Sequence, residues 1–413
     1  MSPRIALVVS VFPVRSETFI VSKFLGLLDH GYDVHVVCGH HARENWALFP
    51  ALQARRGLAQ RIHASWPTRH KALAALLLPA ALFYALVINP RNALRYMRRG
   101  LRRFGLDVLR RFYLDLPLIL TEPDVVHFEF GALAIGRMYL RDLLGCRVTV
   151  SFRGYDLNFS GIDQADYYQE VWAHADRLHL LGEDLWRRAQ RRGCPPDKPH
   201  ALIPPAVDAD FFDPSDREVS ANDGTAARPV RILSVGRLEW KKGYEYALQA
   251  IRAVRDRGLN VEYHIVGDGQ HLEAVAFCRH QLGLADCVHL LGAQPHERVR
   301  DEMRRADIFL HAAVSEGFCN AVLEAQAMEL PVVCSNADGL AENVQDGVTG
   351  FVVARRDPAA LADRLARLAT DPNLRQQMGQ AGRKRVVAEF NLTRQSALFA
   401  AFYQELAHEP ASH

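Results

Sequence analysis

Two patterns of hydrophobic and polar positions alternate along the chain. Short, almost unbroken apolar runs are separated by longer stretches with helical periodicity. The first half carries RIALVVS (4–10), DVHVVC (33–38), DVVHF (124–128), RVTVSF (147–152) and RLHLL (177–181). The second carries VRILSVG (230–236), VEYHIVG (261–267), CVHLLG (287–292), DIFLH (307–311), PVVCS (331–335) and GFVV (350–353). Such runs fit strands of parallel sheets buried between helices, and the alternation predicts repeated βα units. Several runs end in glycine or a small polar residue before a helix, where the carboxyl edge of such a sheet binds ligands.

At 413 residues the chain exceeds one ordinary core. The stretch DPSDREVSANDGTAARP (213–229) is polar and rich in breakers, which predicts a linker. The expected organisation is α/β: an N-terminal doubly wound, Rossmann-like domain over 1–212, the linker, and a second such domain over 230–390. The two would face a central cleft. The helical pattern of 391–413 does not reveal its docking face; crossing back to the first domain is one expectation for it.

Composition narrows the class. With 49% hydrophobic and 23% charged residues the chain reads as a soluble globular protein. Its seven cysteines are scattered without a CxxC pair, which points to a reducing compartment rather than a disulfide framework or zinc site. The start, MSPRIALVVSVFP, lacks a signal peptide's apolar core and reads as a first buried strand, so the expected location is cytoplasmic. The net charge of +3 hides an asymmetry: residues 1–205 hold 27 Lys+Arg against 18 Asp+Glu, and the rest 23 against 29. A basic half joined to an acidic one implies that only the first faces an anionic surface.

Within the basic half, residues 72–88 form 17 consecutive apolar positions broken only by Pro79. Arg91, Arg95, Arg98, Arg99, Arg102, Arg103, Arg110 and Arg111 follow, with Asp107 as the one acid among them. A spanning helix needs about 20 apolar residues. A basic helix beside an apolar hairpin instead lies in the headgroup plane of an anionic membrane, which is the expectation for this insertion (70–118). A helical insertion packed on its own domain is the plainer alternative.

The chemistry concentrates in SEGFCNAVLE (315–324). A strand ends near His311, and a helix starts about Phe318, where unpaired amides and the helix dipole favour phosphate. Glu316 would repel a phosphate and suits sugar hydroxyls better. Glu324 lies eight residues on, about 12 Å along a helix, roughly the span from a sugar across a diphosphate to a ribose. Glu316 at the hexose and Glu324 at the ribose is the functional reading; a helix-terminal acid plus a solvated one is the plain reading. In SVGRLEWKKGYEYAL (234–248), Gly236 ends a strand and Arg237 and Lys242 follow, cations suited to a diphosphate leaving group. The loops VGDGQ and LLGAQ place Gly267 and Gly292 at strand ends, where backbone can approach a base or sugar.

In this order and spacing, VGRLEWKKGYEYAL, VGDG, LLGA, SEGFCNAVLEAQAMELPVVCSNADGLAENV and DGVTGFVV resemble the C-terminal domain of family 4 GT-B glycosyltransferases. SVFPVRSETFI (10–20) is similar to a subgroup that builds bacterial exopolysaccharides, colanic acid among them. The resemblance implies a GT-B fold with an acceptor-binding N-terminal domain and a nucleotide-sugar-binding C-terminal one. It implies retaining hexosyl transfer from a UDP- or GDP-sugar to a glycan, such as a lipid-linked oligosaccharide, with no cofactor and no metal. Arg237 and Lys242 would neutralise the diphosphate, Glu316 touch the donor sugar, Glu324 grip the ribose, and amides around Phe318, Cys319 and Asn320 meet the phosphates.

Three departures bear on this. The family's paired glycines after the first strand are replaced by Ser16, Glu17 and Thr18, which either face the donor or simply open a helix with Ser16 as its cap. A histidine expected after TVSFRGYD is replaced by Arg153, so either Arg153 or His127 takes the polar role. Asp156 either orients Arg153 or meets an acceptor hydroxyl, and Tyr155 packs. The IPPAVD segment lacks the family's glycine. Asp208-Ala-Asp210 matches a metal-binding DxD but lies in an interdomain stretch and reads as structural. Two other functions fit parts of the pattern: a GT-B nucleotide-sugar epimerase or hydrolase, and a non-catalytic transferase-like subunit of a polysaccharide assembly complex. Nucleic acid is not an expected partner.

Overall fold

The computed structural model describes residues 2–67, 71–217 and 221–408. The chain forms two compact units. Residues up to 181, 185–203 and the segment from Gln395 onward make the first; 182–184 and 204–394 make the second.

The first unit is built on seven strands: β1 (Arg4–Phe12), β2 (Asp33–His41), β3 (Ile62–Ala64), β4 (Val125–Phe128), β5 (Arg147–Phe152), β6 (Arg177–Leu180) and β7 (His200–Leu202). All pairings are parallel, in the order β3-β2-β1-β4-β5-β6-β7. Ile5 stands opposite both Val34 and Val125, so the apolar runs stack across the sheet. The five expected strands are all present. The two edge strands β3 and β7 are three residues long, too short to show a periodicity of their own.

The closing helix Leu392–His408 docks on this unit from Gln395 onward. Phe399, Phe402, Tyr403 and Leu406 bury themselves in the core with Ile5, Leu7 and Phe24. Gly26, in the helix Thr18–Asp29, makes room for it: a Cβ there would lie 2.7 Å from that of Ser396.

From Lys71 the insertion is built of helices, Lys71–Ile88, Pro90–Phe104, Asp107–Leu114 and Leu116–Thr121. Residues 72–88 form one helix rather than a hairpin, with Pro79 inside it. Ala75 and Pro79 both lie on its exposed side, so the carbonyl that loses its amide partner is not sealed from water. The helix also inverts the usual burial order. Small residues Ala81 and Ala85 face the unit, while Leu76 (75%), Phe83 (71%) and Val87 (61%) are exposed. Among the described residues no helix is long and apolar enough to cross a membrane.

The second unit holds six parallel strands: β8 (Val230–Val235), β9 (Val261–Val266), β10 (Val288–Leu290), β11 (Ile308–His311), β12 (Val332–Ser335) and β13 (Gly350–Val353). Their order is β10-β9-β8-β11-β12-β13. Part of the 213–229 segment packs on this unit: Arg217 donates to the carbonyls of Glu329 and Ala306, and Arg375 donates to that of Asn222.

In both sheets the strand order reverses once, between β1 and β4 and between β8 and β11. Connections leave in opposite directions there, opening a crevice at the carboxyl ends of those strands.

Candidate functional site

In the second unit the chemistry gathers at the β8/β11 reversal. After β8 the chain passes Gly236, Arg237 and the turn Trp240–Lys242 before the helix Tyr244–Asp256. Gly243 ends that turn with φ 65°, and a Cβ there would fall 2.1 Å from the Ala312 carbonyl oxygen. Only glycine lets the turn lie this close to the end of β11. Val314 N–H then donates to the Lys241 carbonyl at 2.8 Å, tying the two loops together.

This contact brings the Lys242 ammonium onto Glu316 Oε2. His311, the last residue of β11, points its Nε2 to within 3.5 Å of the same oxygen. Burial alone would raise the Glu316 pKa, but Lys242 and His311 outweigh it and hold the carboxyl at about 2. Burial likewise opposes charge on Lys242, yet Glu316 more than compensates and its pKa is raised. For His311, burial is overcome by Cys319 and Glu316, and the pKa rises to about 9. At neutral pH the carboxylate is therefore ionised, an acceptor of hydrogen bonds and not a proton donor.

The Glu316 backbone is fixed as well. Its N–H donates to Asp338 Oδ2 at 3.2 Å, and its carbonyl accepts from Gly339 N–H at 3.0 Å. Arg237 differs from Lys242 in being largely exposed (64%), paired with Glu239 at 2.8 Å.

The helix behind Glu316 is Asn320–Ala327, with Cys319 at its N-cap. The Cys319 amide donates to Asn343 Oδ1 at 3.2 Å, so this expected phosphate contact is already engaged within the unit. Asn320 is half-buried at the first helical position, and Phe318 packs toward Phe390 with ring centroids 5.9 Å apart. Glu324 remains partly open, 3.7 Å from His296 Nε2. His296 in turn stacks on Phe211.

The three glycine loops are laced together: Gly236 N–H donates to Val266, and Gly267 N–H to Gly292. A Cβ on Gly267 would lie 1.9 Å from the Gly236 carbonyl oxygen, so this glycine answers to its neighbouring loop before any ligand. Gly292 has φ 67°, a left-handed position in open space. In the DxD-like segment, Asp208 Oδ1 accepts from the Asp210 and Phe211 amides, capping its own turn.

The first unit's reversal holds a different cluster. Glu129 follows β4, has no exposed surface, and accepts from Lys23 Nζ at 2.7 Å and from an Arg153 guanidinium nitrogen at 3.0 Å. The Arg153 guanidinium carbon also sits over Phe19, 3.7 Å from the ring centre. Burial pulls the Lys23 pKa down to about 8 against the opposing pull of Glu129. His127 lies inside this cluster and not at an open strand end. Thr149 and Ser151 hydroxyls engage its two ring nitrogens at 2.7 Å, and it has no exposed surface. Burial and the cations Lys23 and Arg153 keep it neutral.

Asp156 is fully buried and accepts from the Arg153 and Ala132 amides, so it holds the backbone of Arg153 and not its guanidinium. Tyr155 is exposed. Arg15–Glu17 form a 3-10 turn, which puts Glu17 rather than Ser16 at the N-cap of the helix starting at Thr18. Burial raises the Glu17 pKa.

The residues that hold these two clusters were the hardest to find from sequence. Lys23 stands three residues after Ile20 and four before Leu27, on the apolar face of its helix, and that position was its signal. Glu129 interrupts an apolar run, VVHFEF, in the same way. Nothing local marks Asn343 or Asp338.

Comparison with known proteins identifies the family and the fold. Residues 216–385 match the Glycosyl transferases group 1 family. An amylovoran biosynthesis glycosyltransferase of Erwinia amylovora is 30% identical over 406 residues, covering 92% of this chain and 94% of that protein. A glycosyltransferase assigned by name to colanic acid biosynthesis in Escherichia coli K12 is 29% identical over 86% of this chain and 88% of its own. Among solved structures, an Anabaena protein determined with UDP-glucose superposes with a TM-score of 0.71 at 15% identity, over 98% of this chain and all of that one. A sucrose-phosphate synthase from Thermosynechococcus elongatus gives 0.71 at 17%, over 98% and 99%. The chain belongs to the group 1 glycosyl transferases, with the GT-B fold, and it is a glycosyltransferase.

Proposed function

We propose that this glycosyltransferase moves a hexose, with retention, from a UDP- or GDP-sugar bound by the second unit to a glycan acceptor, a lipid-linked oligosaccharide of exopolysaccharide synthesis. The observation that carries the reading is the Lys242–Glu316 pair at the β8/β11 reversal. An ammonium and an ionised carboxylate side by side match the two ends of the sugar–phosphate bond. The cation meets the diphosphate, and the carboxylate accepts from hexose hydroxyls. Arg237, exposed beside Glu239, would close on the diphosphate from outside. Glu324, one carboxylate further along the helix, would take the ribose.

In the transfer, the bond between the anomeric carbon and the phosphate oxygen breaks, with Lys242, Arg237 and helix amides stabilising the departing diphosphate. The acceptor oxygen bonds to the same face of the sugar, and its proton passes to the departing phosphate oxygen. No covalent enzyme intermediate and no divalent ion enters this route. In the first unit, Arg153, held by Glu129, is the polar group for the acceptor reaction, with His127 acting behind it through Lys23.

The lipid-linked acceptor is supported by the helical insertion. Its exposed side chains include Leu76, Phe83, Val87, Leu94 and Leu106 together with Arg91, Arg98 and Arg102. Such a combination suits an anionic membrane surface, apolar side chains reaching below the headgroups that the guanidinium groups bind.

A thermal-shift panel of UDP, GDP, ADP and their sugar conjugates, run without added metal, tests the donor. A ligand at about 100 times its dissociation constant stabilises by about 2.7 kcal/mol. Stabilisation by one base, lost in Glu324→Ala, is the expected result. No shift with any nucleotide would overturn the reading.

A further inference from the structure

We propose that His311, Glu316 and Cys319 form a binding site for one thiophilic divalent cation of the zinc class, overlapping the donor-sugar position so that cation and donor exclude each other. The exclusion rests on the donor placement proposed above; the cation site itself does not.

The donor atoms of the three side chains lie within 4.8 Å of one another, and among the described residues no other group of three such side chains is so arranged. His311 Nε2 is 3.5 Å from Cys319 Sγ and 3.5 Å from Glu316 Oε2. A tetrahedral cation bonded at about 2.0–2.3 Å to nitrogen, oxygen and sulfur places neighbouring donors roughly 3.3–3.7 Å apart. The imidazole nitrogen already stands at that spacing from both partners.

The scaffold is rigid. His311 ends a central strand, Cys319 caps a helix, and both are almost fully buried. The backbone of the Glu316 loop is pinned by Asp338 and Gly339. A thiolate, an imidazole and a carboxylate together favour zinc, cadmium or cobalt(II) over magnesium or calcium. Three protein donors leave a fourth position for water, the pattern of an exchangeable site. Entry lies past Lys242 and Glu316, whose side chains keep 12% and 15% of their surface exposed.

On binding, the Cys319 thiol and any imidazolium proton leave to solvent, and the Lys242 ammonium must quit the shared Glu316 oxygen. The cation thus takes the carboxylate assigned to the hexose and releases the lysine assigned to the diphosphate. Losing that ion pair makes the site weaker than a dedicated structural one, as reversible inhibition would require.

The test is a cadmium titration of the purified full chain without nucleotide, followed by thiolate-to-cadmium charge-transfer absorption. One equivalent per chain is expected. Cys319→Ser, which preserves volume and can still cap the helix, abolishes the band; His311→Gln weakens cadmium affinity at least tenfold; Cys334→Ser changes nothing. Saturating UDP- or GDP-hexose, whichever conjugate the chain binds, raises the free cadmium needed to reach half the band. Absence of the band in the wild type, or its survival in Cys319→Ser, overturns the site. Should Cys319→Ser not fold, an unchanged titration in His311→Gln overturns it instead. A Cys319-dependent band that no bound nucleotide sugar shifts upholds the site and overturns the overlap with the donor.

Discussion

Lys242 and Arg237 carry the same proposed task at different depths, and removing each should separate stability from chemistry. The Lys242 side chain is 12% exposed and bound to a Glu316 side chain 15% exposed. Truncation to alanine leaves that carboxylate without its nearest cation. Breaking a buried pair from one side costs about 3–5 kcal/mol. His311 remains 3.5 Å away, protonated at neutral pH, and places the cost near the lower end, about 3 kcal/mol. Arg237 is 64% exposed, and its pair with Glu239 contributes about 0–1 kcal/mol. Both variants should lose about 10²–10³ in turnover, the usual cost of one preorganised cation. The assay pairs donor turnover with hydrogen exchange of the β8 and β11 amides, which reads the second unit without interference from the first. Lys242→Ala should exchange roughly a hundredfold faster, and Arg237→Ala at the wild-type rate. Equal acceleration in the two would refute the burial argument, and near-normal turnover in both would refute the assignment of the diphosphate.

In the first unit, Glu129→Gln leaves Lys23 and Arg153 as buried neighbouring cations and should cost about 3–5 kcal/mol, with Lys23→Met added to it recovering part of the loss in urea denaturation. An additive double variant would show that the pair is not coupled. The Lys23 pKa, lowered to about 8 from 10.5, means the unfolded chain binds more protons between those values, so stability should rise as pH climbs from 8 to 10.5. The groups facing that ammonium are Glu129, His127, Arg153, Phe399 and Tyr403. The rise should vanish in Lys23→Met; its persistence there would assign it to another group. For the insertion, Arg98→Glu with Arg102→Glu should weaken flotation with anionic vesicles about a thousandfold, at about 1 kcal/mol per charge lost or gained near the surface. Phe83→Glu with Val87→Glu should abolish it, and full binding by both would dismiss the membrane face.

How much of this was legible in the sequence depended on which interactions are local. The central strands announce themselves because a strand buried on both faces must be apolar along its length, as IALVV of β1 is. The edge strands β3 and β7 have no such constraint and left no pattern. The pieces of the second unit's site were readable because strand-end loops and helix starts have fixed chemistry: a glycine where backbones touch, as at Gly267, and acids flanking a helix start. What could not be read was which residue meets which. The expectation for Cys319 was an amide open to phosphate, but Asn343, 24 residues on, takes that amide, and its thiol turns to His311.

His127 makes the same point from the other side. A histidine near a strand end reads equally as a site residue or a core residue, and the choice falls to Thr149 and Ser151 on the neighbouring strand, whose hydroxyls close around it. The useful signal was a charge on an otherwise apolar face, as with Lys23 and Glu129. Burying either alone would cost several kcal/mol, so each implies a partner that the sequence does not name. Arg153 supplies the missing third member: its guanidinium reaches Glu129 at the strand edge and leaves one side against Phe19. Besides Glu129, the carboxyls of Asp156 and Glu17 attract that guanidinium, so the two cations stand among three acids at this edge. The polar role proposed for Arg153, where the family pattern would place a histidine, rests on that anchoring.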